Sequence, residues 1–90
     1  MRTGALAVFY SARGCELCAE ARAELDSSEI AYRLVYVTAS PEPGVLWLWP
    51  SDRPNDPEPC PRDRLPAVPA LGVGGELYVG LEAIRRLAAR

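Results

Sequence analysis

Cys15 and Cys18, three residues apart, and a more distant Cys60 carry most of the chemistry open to this chain of 90 residues. The chain has no histidine, and all 10 of its basic residues are arginine. Ser–His and Cys–His nucleophilic catalysis, histidine metal ligation, Schiff-base chemistry and a phosphate-binding P-loop lysine are therefore excluded. What remains is thiol chemistry, carboxylates, tyrosine and arginine. A tetrahedral structural zinc takes four ligands, so Cys15, Cys18 and Cys60 would need a carboxylate or a second subunit to complete one. A structural disulfide between Cys15 and Cys18 would close only a very small loop.

The elements around the pair give it a setting. Ala5 to Tyr10 is a short apolar run rich in strand formers, broken at Gly14. From Glu16 to about Ser27 the composition becomes helical. Leu17, Cys18, Ala21 and Leu25 are expected on one face, with Glu16, Glu20, Arg22, Glu24 and Asp26 largely elsewhere. Ala31 to Thr38 is nearly continuous in apolar residues, as expected for a strand buried on both faces of a parallel pair. Strand, helix and strand then make a βαβ unit.

All 9 prolines lie between Pro41 and Pro69, which argues against a long helix there. Within that stretch Val45 to Trp49 is an apolar island, a helical turn or a short strand. Pro50 to Arg64 reads as an irregular loop. Ala67–Val73 and Glu76–Val79 then flank Gly74 and Gly75, the signature of a hairpin with a two-residue turn. Leu81 to Ala89 is helical, with Glu82 near its start and Arg85 and Arg86 toward its end to suit the helix dipole. Two readings are open for Trp47 and Trp49, a partner or substrate platform and the cover of a sheet face as part of the core; the second is favoured, and Tyr10 is assigned to the core.

The cysteine pair stands where the first strand passes into the first helix. Residues three apart on a helix share a face, with Cβ atoms about 5–6 Å apart, close to what a disulfide needs. Cys15 faces the unpaired N–H groups and positive dipole end of the helix, which favour thiolate over thiol. Arg13 would add to this and Glu16 oppose it. Cys18, one turn in and less exposed, is placed to attack a mixed disulfide formed on Cys15. Cys15 is thus the expected nucleophile and Cys18 the resolving thiol. Cys60 is either a spare loop thiol or a competing disulfide partner for Cys15.

The segment Tyr10–Cys18 (YSARGCELC), followed by an Ala/Glu-rich helix, resembles the active-site segment of glutaredoxins and glutaredoxin-like proteins. Residues 65–71 (LPAVPAL), the glycine turn, Tyr78–Gly80 and a terminal helix are similar to that family's second half. The resemblance spans about residues 5–38 and 65–89. It implies an α/β, thioredoxin-like fold: βαβ–loop–ββα with a four-stranded mixed sheet flanked by helices, the Pro-rich segment replacing the middle helix. It also implies a cis bond before Pro69, beside the cysteines, and a substrate-binding backbone at Val68. Val68 and Pro69 are the substrate-binding residues it implies, with Gly80 at a family glycine that turn geometry also explains; Arg13, one step from the family's basic position, is either a solvated surface residue or a steering charge for an anionic substrate. Here Glu16 and Leu17 stand between the cysteines, Ala12 occupies the position of a family basic residue, and Ala83 that of a family aspartate.

The leading expectation is a thiol–disulfide oxidoreductase that reduces protein disulfides or glutathione mixed disulfides. It would bind no cofactor and no metal, use glutathione as a candidate co-substrate, and draw electrons from an unidentified reductase. Two alternatives stay open: a metal- or iron–sulfur-binding module using Cys15, Cys18 and Cys60, and a glutathione-transferase-like binding domain. The length allows a single domain over residues 1–90, with the Pro-rich insertion at about 40–64. A net charge of -2 leaves no basic footprint for nucleic acid, and no apolar run approaches a membrane span. A cytoplasmic monomer is expected, or a chain read without its targeting segment.

Overall fold

Residues 7–89 are described by the computed structural model. Ala5 and Leu6, expected to open the first strand, lie outside them. The first strand is β1 (Ala7–Ser11), and Cys15 caps helix α1 (Glu16–Ser27). Next comes β2 (Tyr32–Ala39), which pairs parallel with β1 from Ala7 opposite Tyr32 to Ser11 opposite Tyr36. A parallel pair requires a crossover, and α1 supplies it. A hairpin follows further on, from β5 (Ala70–Val73) to β6 (Glu76–Val79), and then helix α2 (Leu81–Ala88). The hairpin turn has φ of 59° at Gly74 and 85° at Gly75, a pair that side chains would oppose. β5 lies antiparallel to β1, with Tyr10 opposite Ala70.

The Pro-rich stretch corrects the sequence expectation. It forms β3 (Val45–Pro50) and β4 (Glu58–Pro61), followed by a short 3-10 turn at Arg62–Arg64. The sheet therefore has 6 strands in the order β4-β3-β2-β1-β5-β6, every pair but β1 with β2 antiparallel. The four-stranded thioredoxin-like arrangement with an irregular insertion is not what forms; the protein is a small α+β structure with a curled mixed sheet. The reason lies in where the prolines fall. Arg62 N–H donates to the Gly44 carbonyl at 2.9 Å. Because N–H groups alternate along a strand, those of Cys60 and Glu58 face β3, while Pro59 and Pro61 turn their donor-less nitrogens to the open edge. Edge prolines cost no ladder bond and discourage pairing with a second sheet.

Both helices lie on one face. Ala7, Phe9, Ala21, Leu25, Leu71 and Ile84 are buried together there, with Tyr32, Leu34 and Tyr78 packed around them. Burying each of the larger side chains stabilises the fold by about 1.5–3 kcal/mol relative to exposure. On the other face Leu46, Leu65 and Ala70 form a second cluster, with Tyr10, Val37, Leu48, Cys60 and Val68 against it. That face has no helix; the return segment around Leu65 covers it instead.

Arg85 on α2 reaches Glu24 at 3.2 Å and Glu20 at 3.5 Å on α1. These pairs are solvated, so Arg85→Ala should cost no more than about 1 kcal/mol in chemical denaturation. A larger loss would mean that the charge pairs, not the apolar contact around Ile84, hold the helices together.

Candidate functional site

Strand β1 ends at Ser11, and a turn through Gly14, at φ 75°, delivers Cys15 to the start of α1. Cys15 is the N-cap in extended conformation, its Sγ accepting the Cys18 backbone N–H at 3.1 Å. Cys15 and Cys18 form a disulfide, with Cα atoms 5.2 Å apart. Their environments differ: Cys18 is 1% exposed, whereas Cys15 is partly open to solvent. The buried stripe of α1 is Cys18, Ala21 and Leu25. Leu17, expected on the same face, is instead 52% exposed. It lies about 100° round the helix from Cys18, in a first turn that extends past the core.

The disulfide borders a cavity of about 490 Å³ that also includes Arg13, Gly14, Arg22, Asp26 and Tyr36 in its walls. Arg22 Nε donates to Tyr32 Oη at 3.0 Å, and Tyr32 Oη donates to Asp26 at 2.8 Å. These bonds occupy both charged groups on the helix side of the cavity. Burial, reinforced by the bond to Asp26, holds the Tyr32 hydroxyl above its ordinary pKa, with Arg22 opposing. Arg13 differs. Its guanidinium lies over the Tyr36 ring, 5.1 Å from the centroid, and no carboxylate among the described residues pairs with it.

Arg13 and Tyr36 also wall a second cavity of about 420 Å³, completed by Thr38, Trp49, Pro50, Ser51 and Pro54. Tyr36 and Trp49 are cross-strand partners on β2 and β3. Trp49 Nε1 donates to Thr38 Oγ1 at 2.9 Å, which fixes the indole. Trp49 and Trp47 are partly buried: they cover the sheet face, as expected, but belong to neither core cluster. They lie on the helix side of the sheet but beyond the reach of α1. In the run from Val45 to Trp49 the tryptophans alternate with Leu46 and Leu48, which pack on the opposite face. That alternation is the sequence signal that could have separated them, and Tyr36 carried no signal of its own.

The other expected site residues gather at the same end of the sheet without entering either cavity. Continuing the pairing of Tyr10 with Ala70 sets Pro69 beside Ser11 and Val68 beside Ala12. The Val68–Pro69 peptide is cis, as the family resemblance implies. Pro69 is fully buried, Val68 partly so, and the Pro69 carbonyl accepts the Gly80 N–H at 2.8 Å. Gly80 caps α2.

Cys60 is elsewhere. It lies opposite Leu46 on β4, on the face away from the helices and three strands along the sheet from β1. There it lines a separate cavity with Tyr10, Leu65 and Leu77, across which the sheet curls. Burial raises the Tyr10 hydroxyl above its ordinary pKa, Cys60 and Glu58 adding to this and Arg33 opposing it. The three cysteines thus do not converge as a ligand set, nor does Cys60 approach Cys15. Among the described residues, no group of three His, Cys, Asp or Glu is placed to hold a metal. No helix among them is long and apolar enough to cross a membrane. Compared with protein-family models, characterised proteins and solved structures, the chain gives no match.

Proposed function

We propose that this protein is a thiol–disulfide oxidoreductase working through Cys15 and Cys18. The observation that carries the reading is the asymmetry of the pair: a bonded Cys15–Cys18 in which Cys18 is buried, while Cys15 is open and accepts a helix N–H. In the reduced protein that N–H and the helix dipole would stabilise the Cys15 thiolate. The thiolate attacks one sulfur of a substrate disulfide, and the other substrate sulfur leaves as a thiolate that takes up a proton. Cys18, losing its proton, then attacks Cys15 Sγ and expels the second substrate thiol. Two electrons and two protons pass to the substrate, and the Cys15–Cys18 disulfide remains. A thiol reductant, either glutathione or the dithiol of a reductase, returns it to the reduced state. Reduction of this kind belongs to the cytoplasm, where disulfides are kept open. The sequence likeness to the glutaredoxin active-site segment supports the same reading.

Thiol counting and timed alkylation test it. The oxidised protein should offer one reactive thiol, Cys60, and the reduced protein three. Brief alkylation of the reduced form near neutral pH should label Cys15 well before Cys18. Earlier labelling of Cys18 would reverse the roles and remove the basis of the proposal.

A further inference from the structure

We infer that the disulfide acted upon belongs to a polypeptide, bound in the groove that runs from Cys15 past Arg13 to Tyr36 and Trp49. An acidic residue beside the substrate cysteine would pair with Arg13, and an apolar side chain would lie against Trp49. This rests on the exchange reading above and names its substrate class.

The two cavities adjoin, with Arg13 and Tyr36 as walls common to both. A chain whose sulfur reaches Cys15 must therefore pass the guanidinium before it meets the rings. Arg13 is exposed, is the one charged residue lining the second cavity, and has no carboxylate partner among the described residues. An anionic group on the ligand would complete the pair. Beyond it Tyr36, Trp49, Pro50 and Pro54 present rigid apolar surface, with the indole already oriented by Thr38. Binding there loses little side-chain entropy, which suits an anchor residue. Glutathione can supply a carboxylate to Arg13, but it has no apolar side chain to fill the space between the rings. Leu17, next to Cys18 and exposed, adds apolar surface at the disulfide itself.

Two probes test the inference. One is a blocked hexapeptide with an aspartate beside a serine and a phenylalanine further along, together with its asparagine analogue. The other is a pair of mixed disulfides with the same coloured aromatic thiol, one made from the cysteine version of the peptide and one from glutathione. Calorimetry on the oxidised protein should detect the aspartate peptide and find the asparagine analogue weaker. Trp49→Ala should weaken the aspartate peptide about tenfold or more, as expected for an aromatic anchor, while Trp49→Phe, which keeps a ring and guards against misfolding, should retain most of the binding. Arg13→Gln, at an exposed position, should erase the preference for aspartate over asparagine. In turnover, the ratio of kcat/KM for the peptide over glutathione should fall about tenfold in Trp49→Ala. Absence of peptide binding by the unsubstituted protein, or a ratio that neither substitution moves, would overturn the inference. Binding without turnover of either mixed disulfide would keep the groove and remove the exchange reading. Turnover of both without binding would do the reverse.

Discussion

Cys15→Ser should abolish disulfide exchange, lowering turnover of a small disulfide on the order of a thousandfold or more, because a serine hydroxyl is not ionised near neutral pH and forms no mixed disulfide. Cys18→Ser should fail differently. Its Cys15 can still attack, so a covalent adduct with the substrate thiol should accumulate and be released only by added thiol. Mass spectrometry of each variant, made in a Cys60→Ser background so that the third thiol contributes no adduct, distinguishes the two after incubation with the oxidised substrate: no adduct for Cys15→Ser, and one adduct per chain for Cys18→Ser. The contrast also separates catalysis from stability. A disulfide closing so small a loop stabilises a domain by about 2 kcal/mol in the loop-entropy account, and either substitution removes it equally. Equal and modest losses of stability with no adduct in either variant would identify the bond as structural only.

The largest stability effect should come from Phe9→Ala. Phe9 is fully buried on β1 and meets Tyr32 edge-on, with ring centroids 5.6 Å apart. It occupies the centre of the cluster that joins β1, α1, β5 and α2. Truncation loses transfer energy and leaves a cavity that elements on several sides prevent from collapsing, a cost of about 3–5 kcal/mol. Domains of this size are stable by only about 5–15 kcal/mol in total, so the thermal midpoint should drop by on the order of 20 °C. Phe9→Leu, which keeps most of the volume, should cost distinctly less. A midpoint within a few degrees of the parent for Phe9→Ala would mean the helices hold to the sheet by other contacts. Because Phe9 does not line either cavity, the fraction of Phe9→Ala that remains folded should exchange disulfides at the parent rate.

Local signals reach a definite part of this molecule. The passage from strand to helix at Cys15, the hairpin around Gly74 and Gly75, and α2 with its acidic start and basic end all follow from residues within a few positions of one another. So does the parallel pairing of β1 with β2, since a short helix between two apolar runs has few other ways to bury its face. The bonded pair, Cys15 and Cys18, was legible for the same reason: a cap and a position one turn later are neighbours by helix geometry alone. The Pro-rich half was not. A proline denies one hydrogen bond, and whether that matters depends on which side of the ladder it faces, a question that only strand pairing answers. Tertiary structure made β3 and β4 strands, turned Pro59 and Pro61 to the open edge, and carried Cys60 to the face opposite the helices. It also brought Trp49 beside Tyr36 and both beside Arg13, residues far apart in sequence that meet because β3 returns antiparallel along β2. Sequence by itself determined where the disulfide would form, because that chemistry is local; the surface on which a substrate would lie was decided by register, which is not.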